Sequence, residues 1–140
     1  MINHVYQLTA PKAVAIKFED TPSDNMIVVQ PEYMAICHAD QRYYQGNRSP
    51  QALAQKLPMA LIHECCGRVV SDPFGQFLKG QLVALIPNAP SQKDTEIYEN
   101  YRRGSHFHSS GLDGFMREIV CMPAHRIIPI GAIDPKIAAI

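Results

Sequence analysis

Residues 59–72 read MALIHECCGRVVSD. This apolar stretch, rich in β-branched residues and closed by Ser71-Asp72, predicts one long strand. Inside it stand an adjacent His63-Glu64 pair, an adjacent Cys65-Cys66 pair and Gly67. Neighbouring strand residues point to opposite faces, so His63 and Glu64 meet at one site only where the backbone bends between them. Gly67 reads as a place of close backbone packing.

Outward from that strand, VYQLTA, AVAIKFED and NMIVVQPEYMAIC predict three strands, separated by Pro11 and by the turn-rich DTPSDN. The polar HADQRYYQGNRSPQ follows, and SPQALAQK predicts a helical turn or two capped by Ser49, with Pro50 at its first position. FGQFLKGQLVALIP predicts a bend at Lys79-Gly80 feeding a strand that Pro87 stops, as in a meander. From Asn88 to Gly114 the chain is polar and aperiodic, the mark of a long surface excursion. FMREIVCMP and HRIIPI predict further strands, and DPKIAAI predicts a helix capped by Asp134. Many short strands with glycine and proline turns argue a mainly β fold, a partly open barrel or a sandwich. Neither GxGxxG nor GxxxxGK[ST] occurs, so no glycine loop of the usual kind cradles a nucleotide phosphate.

The 140 residues have the size of one domain, residues 1–140. Lysine plus arginine number 13 and aspartate plus glutamate 13. That balance favours neither nucleic acid nor an acidic membrane surface, and points to small molecules as partners. No apolar run approaches the roughly 20 residues that cross a bilayer, and MINHVYQL lacks the pattern of a signal peptide, so the expected location is cytoplasmic. Cysteines at 37, 65, 66 and 121 form no regular framework. In a reducing compartment metal or packing roles outrank disulfides.

Cys37-His38-Ala39-Asp40 falls where an apolar strand gives way to polar residues. Were it to lie beside His63-Glu64, a thiolate, an imidazole and a carboxylate would converge as in a catalytic zinc site with an open position. The residues alone equally allow Cys37 to be a small buried hydrophobe.

ICHADQRYYQG, LPMALIHECCGRVVSDP, KGQLVALIPN and GLDGFMREIVCMPAHRIIPI, in that order and approximate spacing, resemble the N-terminal catalytic domain of the zinc-containing medium-chain alcohol and polyol dehydrogenases. The resemblance covers most of the chain. It implies a GroES-like, partly open β-barrel with short helices, followed after residue 140 by a nucleotide-binding Rossmann domain absent from this chain. It also implies that Cys37 is the first zinc ligand, that His63 is the second, and that Glu64 is the acid which in polyol dehydrogenases serves as a third. These three would form the catalytic group. Asp40 would be an outer acceptor orienting a ligand histidine, or else a turn cap. Three departures stand out. Ile62 replaces the glycine of the family's Gly-His-Glu motif. Ala39 replaces the serine or threonine that relays a proton, leaving Glu64 or His38 as the exchanging group. The excursion holds no cysteine, so one catalytic zinc and no structural zinc are expected, with Tyr98 and Tyr101 filling the lobe. His106 and His108 could share one strand face as ligands or stand as solvated loop residues. His38 would approach the cofactor pyrophosphate or be a solvated turn residue.

Tyr43-Tyr44 resembles the element of sorbitol-type enzymes in which the first tyrosine faces the substrate. ICHADQRYYQGNR, LPMALIHE, IPNAP and ENYRRGSHFHSSGLDGFMREIV look more specifically like the ribulose-5-phosphate reductases of bacterial CDP-ribitol synthesis, which supply ribitol phosphate for teichoic acids or capsules. That implies NADPH, held by the domain outside this chain, and a phosphorylated keto-sugar met by Arg42, Arg48, Arg102 or Arg103. It further implies a homo-oligomer in full-length form with a cytidylyltransferase partner; the residues themselves leave oligomeric state open. Sorbitol- or threonine-type dehydrogenases are the nearer alternatives, and a non-catalytic GroES-like binding module the more distant one.

Overall fold

The computed structural model describes residues 1–89 and 104–140. Strands β1 (Ile2–Ala10) and β2 (Ala13–Asp20) form a hairpin closed at Pro11-Lys12, and β4 (Met59–Ala60) pairs with the other edge of β1. A five-stranded antiparallel sheet holds β3 (Ile27–Ala35), β5 (Glu64–Ser71), β6 (Leu82–Leu85), β9 (Val120–Met122) and β10 (Ile127–Pro129) in the order β10-β6-β5-β3-β9. β7 (Asn88–Ala89) and β8 (His106–Phe107) pair at the base of the excursion. Three short α-helices stand among the described residues: α1 (His38–Tyr44), α2 (Pro50–Lys56) and α3 (Pro135–Ala138). The mainly β architecture is the expected one.

Alternation along the strands supplies the core. Ile27, Val29, Cys65, Val69, Val83, Leu85, Phe115, Val120, Met122 and Ile127 interdigitate behind the large sheet. Leu8, Tyr43, Met59, Leu61 and Ile62 fill a second cluster under α1 and α2. α2 starts as its sequence requires, with the Ser49 hydroxyl accepting from Ala52 N at 3.2 Å. At the start of α3, Asp134 accepts from Lys136 N at 2.9 Å. Gly80, at φ 82°, makes the bend ahead of β6. The meander ends there, because β9 and β10 go to opposite edges of the sheet. Opposite Gly67, β3 bulges around Pro31, which has no N–H to give the ladder. A Cβ on Gly67 would lie 2.4 Å from the Gln30 carbonyl oxygen, which explains the glycine.

The predicted strand over residues 59–72 is broken. β4 belongs to one sheet and β5 to the other, and Leu61, Ile62 and His63 between them lie in neither. Ile62 adopts φ 71°, the left-handed region that a β-branched residue ordinarily avoids. Tertiary bonds hold it there. Ile62 N donates to Asp40 Oδ1 at 2.9 Å, and the Ile62 carbonyl accepts from Phe115 N at 2.7 Å. The returning chain lies backbone to backbone against this break. Gly114 N donates to the Ala60 carbonyl at 2.7 Å, and a Cβ on Gly114 would sit 2.2 Å from the Leu61 carbonyl oxygen. A second difference concerns HADQRYY, which forms α1 although its sequence carries no apolar period.

The glycine of the related motif thus has its physical reason in Ile62's backbone angle. Glycine is ordinarily worse than alanine inside an element, but a left-handed position inverts the order. Ile62→Gly should therefore be more stable than Ile62→Ala by about 1 kcal/mol in urea unfolding. The ordinary order, alanine above glycine, would show that the angle is not strained.

Candidate metal centre

The break and the start of α1 bring two reactive side chains together. Cys37 is the residue that caps α1, and His63 is the last residue of the break. Cys37 Sγ lies 3.6 Å from His63 Nε2, and the donor atoms of Cys37, Asp40 and His63 all lie within 4.8 Å of one another. Burial pushes the Cys37 thiol up, so a metal there would have to displace a proton from sulfur.

Asp40 is 2 % exposed, and both its oxygens are occupied. Oδ2 accepts from Cys37 N at 3.1 Å and Oδ1 from Ile62 N at 2.9 Å. From the third position of α1 it reaches back to the capping residue and, at once, forms the bracket joining the two segments. Its hold on the His63 segment runs through backbone and not through the ring. The ring has another partner, which the sequence did not reveal: Ser109 Oγ lies 2.8 Å from His63 Nδ1, and the Phe107 ring meets the imidazole edge-on at 5.1 Å.

A cavity of about 260 Å³ is lined by Ala39, Tyr43, Arg48, His63, Phe107, Ser109 and Ser110. The Arg48 guanidinium lies 4.5 Å over the Tyr43 ring, and Arg48 Nε is buried without a hydrogen-bond partner. Such a contact fixes the guanidinium plane. Lys56 Nζ donates to Ser110 Oγ at 2.8 Å and to its carbonyl. A larger hollow, about 480 Å³, is apolar and lined by Val14, Ile36, Tyr44, Leu61 and Met116 among others, with no imidazole or thiol.

Other candidates fall outside this centre. Glu64 opens β5 opposite Ala35, half-buried, and does not join the donor cluster found among the described residues. His38 is exposed at the first position of α1. Arg42 is exposed and donates to the Asn47 carbonyl at 3.4 Å, away from the cavity lining. Arg102, Arg103, Tyr98 and Tyr101 lie outside the described residues. His106 is exposed, whereas the His108 ring packs on Phe115 and its Nδ1–H donates to the Asp113 carbonyl at 2.7 Å. Burial lowers the His108 pKa. Cys65 and Cys66 are buried free thiols, Cys65 with its pKa pushed up to about 12 by desolvation, which leaves it packing rather than redox chemistry.

A soft sulfur beside an imidazole whose far nitrogen is braced is the donor chemistry that suits zinc, and the residues present fit that ion. The chain belongs to the alcohol dehydrogenase GroES-like domain family, whose model matches residues 23–132. It is 55 % identical over 143 aligned residues to a ribulose-5-phosphate reductase of Streptococcus pneumoniae, with all of this chain and 41 % of the relative covered. It is 50 % identical over 132 residues to ribulose-5-phosphate reductase 1 of Staphylococcus aureus, covering 93 % of this chain and 38 % of the relative. The crystal structure of S. aureus TarJ in complex with NADPH superposes with a TM-score of 0.75 at 38 % identity, covering 99 % of this chain and 37 % of that one. The chain spans about two fifths of the length of these relatives.

Asp40→Asn should cost about 2 kcal/mol in denaturant unfolding, because the amide NH₂ would face one of two backbone N–H groups that the carboxylate now accepts. An unchanged midpoint would show that the bracket does not hold the segments.

Proposed function

We propose that the protein carrying this chain is a zinc- and NADPH-dependent reductase that converts ribulose 5-phosphate to ribitol 5-phosphate, for CDP-ribitol and teichoic-acid or capsule synthesis. The observation that carries this reading is a cavity whose wall holds both His63, in contact with Cys37, and the fixed guanidinium of Arg48. A polar substrate with a carbonyl and a phosphate needs such a pair of anchors. The names of the similar reductases, and the NADPH in the TarJ complex, support the substrate and the reductant.

Cys37 and His63 would hold the zinc, with Glu64 proposed as a third ligand that would have to swing in. When bound, zinc supplies a Lewis acid for the C2 carbonyl oxygen of the keto-sugar. The chain's own residues do the rest of the positioning. Asp40 fixes the two ligand segments, Tyr43 lines the sugar's cavity and carries the Arg48 guanidinium on its ring, and Arg48 takes the phosphate. A bound nicotinamide would supply the hydride for C2, and the protein would supply the one proton that completes the new hydroxyl. Ala39 cannot relay that proton, and we assign the exchange to Glu64 or His38. The nicotinamide itself would be held by a nucleotide-binding domain beyond this chain. The same reading places the enzyme in the cytoplasm as a homo-oligomer working with a cytidylyltransferase; among the described residues no helix is long and apolar enough to cross a membrane.

The test is steady-state turnover by the full-length protein. NADPH oxidation with ribulose 5-phosphate should be far faster than NADP reduction with sorbitol. Arg48→Met should raise KM for ribulose 5-phosphate by about 10- to 100-fold, the worth of a charge-assisted hydrogen bond, with a smaller change in kcat. Full turnover by metal-free Cys37→Ala protein would sink the proposal.

A further inference from the structure

We infer that Ser109 is a positioning residue, whose hydroxyl accepts the His63 Nδ1–H and so leaves the Nε2 lone pair facing Cys37. The inference rests on the metal-site reading above. Neutral imidazole carries one proton, and the partner of one ring nitrogen decides which nitrogen that is. At His63 the two nitrogens have different company: Nε2 meets sulfur at 3.6 Å, and Nδ1 meets a hydroxyl at 2.8 Å. A hydroxyl both donates and accepts, so the contact alone permits either tautomer. Only the one with the proton on Nδ1 offers Nε2 to a metal.

Ser109 is built for this contact. It is 4 % exposed and sits at φ 61°, where glycine would be relaxed and serine is strained. What serine adds there is the hydroxyl. A clasp holds the strained residue in place. Ser109 N donates to the Leu112 carbonyl at 2.9 Å, and Ser110 N donates to that of Phe107 at 3.0 Å. His108 N donates to the Pro87 carbonyl at 2.9 Å, and the Lys56 ammonium ties down Ser110. The polar excursion thus returns to the barrel at the one ring whose orientation the centre needs, 46 residues along the chain from it.

Two variants separate hydroxyl from backbone. Ser109→Gly removes the hydroxyl and relaxes the angle, and Ser109→Ala removes it and keeps the strain. In protein stripped of metal by a chelator, ¹⁵N imidazole spectra should show His63 protonated on Nδ1 in the wild type and shifted toward Nε2 protonation in both variants. Chelator competition should show zinc held about 10- to 100-fold more weakly by both. A Ser109→Gly protein with the wild-type tautomer would overturn the inference and leave Ser109 a backbone element. Wild-type protein that takes up no zinc would remove the metal-site reading instead, and the tautomer measurement would still decide the role of Ser109.

Discussion

Everything at this centre depends on one buried carboxylate. Asp40 accepts from Cys37 N, at the start of α1, and from Ile62 N, in the break between β4 and β5. A buried charge is tolerated only where its lone pairs are met, and each bond to a charged acceptor is roughly twice as strong as a neutral one. The two bonds fix two chain segments at a common distance, with a thiol on one and an imidazole one residue beyond the contact on the other. They also help hold Ile62 at an angle that its own side chain opposes. The returning segment locks the arrangement from the far side, and Gly114 is glycine because any side chain there would strike the Leu61 and Ile62 carbonyls.

The legible parts of the fold were those with local punctuation. α2 and α3 announced themselves through Ser49-Pro50 and Asp134-Pro135, and β6 through Lys79-Gly80 and Pro87. α1 lacked an apolar period and is capped by cysteine, an unusual choice; the one local signal was Asp40, three residues after the cap. The break at Ile62 could not be read from propensity, because a β-branched residue in an apolar run argues for continued strand. It is set by contacts to Asp40 and Phe115, both remote in sequence.

At the site, Cys37, His63, Asp40, Tyr43 and Arg48 were visible as residue types in a familiar order, and the structure gathers them around one corner and one cavity. Ser109 was not visible. A serine in HFHSSG carries no periodicity, and its importance lies wholly in where a long excursion comes back. Of the arginines that sequence could not rank, Arg48 lines the cavity while Arg42 turns to its own loop. At Ala39 the cavity wall is a methyl group, which offers no hydroxyl to a proton relay.

On the reading proposed above, sulfur and imidazole from these two segments share one metal ion. X-ray absorption at the zinc edge of the reconstituted protein tests it directly. One sulfur scatterer is expected at about 2.3 Å and imidazole nitrogen at about 2.0–2.1 Å, with lighter atoms completing a four-coordinate shell. A zinc shell of oxygen and nitrogen alone, with no sulfur, would contradict it.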